Sequence, residues 1–319
     1  MVKTTQLTTA ENVGKRYADT AVLVVEIYGN SPTDPRTQEA FARLNYLHGL
    51  YIKQGKISND DLLYTLALFM VEPSRMIAKT EWRCLTDLEI CAFGVFHKSM
   101  GDAMDISFDA LPSAKTGFRD GLAFYAELEA WSVEYEKRYM VPHQNNYITA
   151  IQTQNLLLRN IPSMFHTAIA NIISAAMDDR LRTAIKFEEP LPFYRGLLEG
   201  FLTLRKYYLR YLALPRPKFM SSYLVGKKAD AEGRRHFIRY DTLPYYVKPT
   251  VFNRWGPGAI ASRLMGVPLP GDDGYYPEGF KTSDVGPAAL RGKGRVEAEK
   301  TKDRLVKERT GGCPFVNLR

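Results

Sequence analysis

Three cysteines among 319 residues, Cys84, Cys91 and Cys313, with none in a CxxC pair, exclude a disulfide scaffold and point to a reducing, intracellular setting. Long apolar runs are also missing. The two strongest, `AVLVV` and `LLYTLALFMV`, fall well short of the roughly 20 residues that span a bilayer, so both read as buried helix. The first residues, `MVKTTQLTTAENVGKRYADT`, lack the apolar core of a signal peptide, so the chain reads as soluble or at most in peripheral contact with a membrane. No GxGxxG, GxxxxGK[ST] or GxSxG motif is present, which removes dinucleotide-binding, P-loop and serine-hydrolase readings. The five histidines His48, His97, His143, His166 and His236 form no HxxxH or HExxH unit, which argues against a zinc cage. The net charge is +8 and the pI about 9.2, yet the basic residues are scattered, with no RNP-type strand or finger spacing, so no specific nucleic-acid binding is expected. No internal repeat occurs.

What the sequence does have is aromatics, with 19 tyrosines and 16 phenylalanines, and apolar residues recurring three and four apart. Helices are expected over Tyr17 to Tyr28, then from Asp34 as cap and Pro35 as first helical residue to a stop at Gly55. Ser58 and Asp61 have the spacing of a capping box, and the helix they start should break or kink at Pro73. Further helices are expected near 85–104, 118–139, 146–177 and 192–212. Beyond `LALPRPKF`, prolines 215, 217, 244, 249, 257, 268 and 270 leave little room for long helices. The expected fold is therefore an all-α helical bundle over residues 1–213. An irregular Pro/Gly-rich extension, 214–319, wraps the same domain and ends in one short charged helix before Gly311.

In `RLNYLHGLY`, Phe41, Leu44, His48 and Tyr51 recur at helical spacing, which places an imidazole on an apolar face. Spacing alone leaves two readings open, a satisfied core histidine or a metal ligand. If it is a ligand, haem iron is the metal most compatible with one isolated histidine, because the porphyrin supplies four nitrogens and the protein need add only an axial ligand. A helical, aromatic-rich chain also raises the terpene-synthase reading, but `NDDLLYT` and `MDDRLRT` provide neither DDxxD nor a second magnesium motif.

The motifs `KRYADT`, `RLNYLHGLY`, `GKISNDDLLYTLALF`, `EPSRMI`, `EWRCLTDLE`, `KSMGDAM`, `RWGP` and `GGCPF` occur in an order that resembles the ER-bound oxygenase MpaB and rubber oxygenase family, over almost the whole chain and most closely in its fungal MpaB-like branch. That resemblance implies an all-α domain with non-covalent haem b, in which His48 matches the proximal iron ligand. A distal Lys-Thr pair of the rubber oxygenases has Lys3 and Thr4 as its candidates, with frayed N-terminal residues as the alternative. Arg16, Asp19, Thr20 and Arg43 are candidates for haem propionates or for ordering polar groups, with ordinary salt bridges as the alternative. Thr65 is a candidate cavity-lining residue or a core residue. The charged run from Glu72 to Glu89 reads as a salt-bridge network, and His97 stands where relatives are expected to carry tryptophan. The implied activity is dioxygen-dependent cleavage of a carbon–carbon double bond in an apolar, isoprenoid-type substrate, in secondary metabolism and at the endoplasmic reticulum membrane. The family also implies an upstream membrane anchor and further pocket residues, so a shortened paralogue or a start further upstream is expected. A non-catalytic haem-binding or helical interaction protein is the alternative function.

Overall fold

The computed structural model of the chain describes residues 9–217, 220, 223–309 and 311–315. Among them are twelve α-helices and no sheet; strand pairing is limited to the isolated bridges Val225–Phe237, Arg235–Phe280 and Phe237–Val247. The protein is all-α, as the periodicity indicates. It divides into two compact units, Met1–Leu47 with Gln144–Asn171 and Arg216–Arg304, and His48–His143 with Ile172–Pro215 and Leu305–Arg319. Lys3 and Thr4 lie outside the described residues.

The first unit contains α1 (Ala10–Tyr28), most of α2 (Pro35–Ile52) and α6 (Gln144–Leu158). Asp34 caps α2 as expected, its carboxylate accepting from the Arg36 N–H at 2.8 Å. Glu26 on α1 is fully buried, and Arg36 meets it with two donors at 2.7 and 2.8 Å, the forked geometry that makes a buried carboxylate tolerable. The helix expected over 146–177 is instead two, α6 and α7 (His166–Ala176), because Pro162 cannot donate into a helical ladder. In the later segment, only the short α10 (Val251–Trp255) and α11 (Pro257–Leu264) precede α12 (Arg295–Glu308). Gly294, at φ 74°, takes a left-handed conformation and leaves room for the Tyr46 ring against its Cα.

In the second unit, α3 (Asn59–Thr80) starts at the Ser58–Asp61 capping box read from the sequence. It does not break at Pro73 but runs on to Thr80. Proline cannot supply the N–H that the Phe69 carbonyl would receive four residues later. The ring of His97, on α4 (Asp87–Ala103), hydrogen-bonds to the Phe69 backbone, so a side chain from the next helix serves the carbonyl that proline leaves open. α4 packs on α5 (Gly121–Tyr139) through Gly94 and Gly121, where an added Cβ on either would strike the other helix's backbone. Phe108, Phe118, Phe124 and Phe315 meet edge-on or tilted beside this crossing. The expected salt bridges form: Arg75 reaches Glu72 at 2.8 Å and Glu129 at 3.1 Å, and Arg83 reaches Glu89 at 2.8 Å within the α4 capping box. The acidic pairs that suggested magnesium ligands end helices instead. Asp61 completes the capping box that Ser58 opens at the start of α3, and Asp178 caps α8 (Asp179–Ala184), with Asp179 paired to Arg182 at 2.7 Å.

Candidate functional site

His48 lies in the last turns of α2 and is half-buried, with its Nδ1 shielded from solvent. Beside it, Gly49 has open space where a side chain would project. A half-buried imidazole next to such a glycine is a side chain that would hold a haem iron. Among the described residues, no group of three or more His, Cys, Asp or Glu could hold a metal ion by itself. Thr65 is half-buried on α3 and donates to the Asp61 carbonyl at 2.8 Å, a bond within its own helix.

His97 is the contrasting ring. It is 2% exposed, its Nδ1 lies 2.8 Å from the Phe93 carbonyl, and Phe93 and Phe96 flank it. Burial pushes its pKa down to about 4, so it is neutral at physiological pH. His166 is also satisfied locally, its Nε2 lying 2.8 Å from the Ile161 carbonyl.

The remaining sequence candidates belong to the first unit. Thr20 is exposed and donates to the Arg16 carbonyl at 2.9 Å, which joins the two within one turn of α1. Arg16 is half-buried, and its Nε is enclosed without a hydrogen-bond partner among the described residues, a donor suited to a carboxylate. Arg43 is 2% exposed and spends its fork on backbone, donating to the carbonyls of Val285 at 2.8 Å, Leu290 at 2.9 Å and Lys293 at 2.8 Å. Those bonds fasten the stretch 285–293 to α2.

A polar cluster that the sequence did not single out lies next to these residues. Asp19 on α1 is 2% exposed; it accepts from Lys15 Nζ at 2.7 Å and from the Tyr246 hydroxyl at 2.7 Å. Burial raises the Asp19 pKa, and the ion pair with Lys15 and the Tyr246 bond pull the other way. Burial and the neighbouring carboxylate raise Tyr246 as well. Lys15 also donates to the Gly286 carbonyl at 3.1 Å and stands over the Tyr276 ring. Tyr246 and Tyr276 hold φ of 63° and 51°, a left-handed backbone that costs on the order of 1–3 kcal/mol in a bulky residue unless its surroundings impose it. Lys15, Tyr246, Tyr276, Asp284, Gly286 and Arg291 line part of a small cavity of about 50 Å³. The arrangement can keep a proton among an amine, a carboxylate and a phenol away from bulk water. Only `KRYADT` hinted at it, because its partner tyrosine lies 227 residues further on.

No family model and no solved structure matches the chain. Three curated relatives do. The "ER-bound oxygenase mpaB'" of Penicillium brevicompactum is 46% identical over 317 residues, 99% of this chain and 75% of the relative. The "ER-bound oxygenase mpaB" of the same organism is 42% identical over 288 residues, 90% of this chain and 67% of the relative. That of Penicillium roqueforti is 50% identical over 189 residues, 59% of this chain and 63% of the relative.

Proposed function

The chain belongs to the MpaB family of ER-bound oxygenases, and from that premise we propose that it is a haem b-dependent oxygenase that cleaves a carbon–carbon double bond of an apolar, isoprenoid-type substrate with dioxygen. The observation that supports this reading is likeness to an oxygenase over 99% of the chain, together with a half-buried histidine on α2 that would hold the iron. Haem, when bound, supplies the iron centre for dioxygen chemistry. His48 would hold that iron through one ring nitrogen. Apolar helical walls beside the iron would keep water from the reacting alkene and orient it. Arg16 offers a carboxylate on haem or substrate a charged donor. The relatives are named as ER-bound, and we assign this chain to the same membrane system, although no helix among the described residues is long and apolar enough to cross a membrane.

The test is a haem titration of purified protein followed by product analysis. A Soret band should appear, and His48→Ala should lower haem affinity by about 100-fold or more. Haem-loaded protein should consume oxygen and release carbonyl products from prenylated aromatics or linear terpenoids. Unchanged affinity in the His48 variant removes the ligand assignment; a normal haem spectrum with no oxygen uptake on either substrate class removes the oxygenase assignment.

A further inference from the structure

The helix α9 (Pro192–Tyr211) presents an apolar face to solvent. Its half-buried residues, among them Leu198, Leu202 and Leu209, repeat on one side, where α9 meets α3. A second set, Phe193, Leu197, Phe201, Leu204, Tyr208 and Tyr211, repeats at the same helical spacing on a different side, and each of these residues exposes between 49% and 71% of its surface. A soluble helix normally turns polar residues outward. This one, about 30 Å long by its residue count, keeps an aromatic stripe there along its whole length.

The charge beside the stripe indicates what covers it. No Asp or Glu occurs between Glu199 and Asp230, whereas Arg205, Lys206, Arg210, Arg216 and Lys218 follow in close succession. Arg205 is bound to Glu81 at 2.8 Å and to the Thr80 carbonyl, which ties α9 to the end of α3. Lys206 donates to the Ala78 carbonyl and Arg210 lies over the Tyr211 ring, and neither forms an ion pair among the described residues. Trp82, half exposed just past the end of α3, follows directly on the Glu81 that Arg205 holds, and Arg83 stands over its ring. Phenylalanine and leucine along one face, tyrosines towards one end and uncompensated cations at the flanks are the composition of a helix lying in a bilayer interface. Such cations meet the phosphates and carboxylates of anionic lipid.

We propose that this face of α9 lies in the headgroup–acyl boundary of a membrane containing anionic lipid, and so docks the protein on the bilayer without crossing it. The assignment rests on α9 alone and stands whether or not the oxygenase reading does.

The test is co-sedimentation of the full chain with phosphatidylcholine vesicles, with and without phosphatidylserine. Wild type should bind the mixed vesicles more tightly, with affinity falling as salt is raised. The triple variant Phe193→Ser, Phe201→Ser, Leu204→Ser should lose about tenfold or more of that binding while keeping its helical circular dichroism. Lys206→Glu with Arg210→Glu should abolish the preference for phosphatidylserine. Wild type that stays in the supernatant, or a triple variant that binds as wild type does, overturns the proposal. So does a wild-type dimer in light scattering that the triple variant makes monomeric in the absence of vesicle binding, because the stripe is then the contact between two copies. Loss of binding only in Phe252→Ser with Trp255→Ser, on α10, would likewise move the membrane contact away from α9.

Discussion

Two histidines of the same unit, 49 positions apart, lie in contrasting surroundings. Around His97, the backbones of its own helix and of α3 and two phenyl rings close on the imidazole, and its protonation is suppressed by burial. His48 is only partly buried, and the next residue is a glycine with open space where a side chain would project. A ring that completes a helix interior has its geometry set by the polypeptide. Both sit at helical spacing on apolar faces, which is why sequence periodicity treats them alike.

The comparison breaks most directly if the two rings are removed in turn. His48→Ala should abolish most haem absorbance yet change the chemical-denaturation midpoint of the haem-free protein little. His97→Ala should do the reverse, costing about 3–4 kcal/mol through its cavity and the backbone carbonyl left without a donor, while the Soret band survives at temperatures where the variant is folded. Equal effects of the two variants on both readouts would erase the distinction.

Acid offers a second, slightly smaller lever. The pKa of folded His97 lies near 4, below the ordinary value of 6.5, so the unfolded chain binds its proton more tightly. Its contribution to stability is complete above the ordinary histidine range and is lost as pH falls towards 4, by about 3 kcal/mol over that window. Urea titrations from pH 7 to pH 4 should show this slope, and His97→Phe should remove most of it.

Proline sharpens the contrast further. Pro73→Ala restores the N–H that the Phe69 carbonyl lacks, so in a His97→Leu background it should recover about 1 kcal/mol, and more than it gives in wild type. Additive free energies in that double-mutant cycle would mean that His97 and Pro73 act independently. The smallest effect belongs to Asp19. Its raised pKa makes the stability gained on protonation fully present below the ordinary carboxylate range and lost as pH rises through the elevated value. The stability of wild type relative to Asp19→Asn should therefore fall slightly as pH rises through that window, measured by urea midpoints.

These cases also mark how far the sequence can be read. Helix starts carried by neighbouring residues, such as the Asp34 cap and the Ser58–Asp61 box, were legible because their chemistry is complete within four positions. Continuation through Pro73 was not, since the compensating donor comes from the next helix, 28 residues after Phe69. His48 stood out as an isolated ring, and family likeness rather than spacing suggested the role proposed for it. Lys15, Asp19 and Tyr246 form their cluster only when the chain folds back over more than two hundred residues. No local pattern encodes such a meeting.

The fastening of 285–293 by Arg43 carries a consequence in time. The bonds from this arginine span 242 to 250 residues, so during synthesis α2 leaves the ribosome long before its acceptors exist. Until they arrive, a cation that will be sealed in the finished protein stays hydrated, and the helix bearing it lacks its final covering. The last quarter of the chain thus acts as a latch that closes after the helices preceding it have been made. Truncations ahead of Val285 should leave a first unit that is open to protease around Arg43, even though every residue of α2 is present.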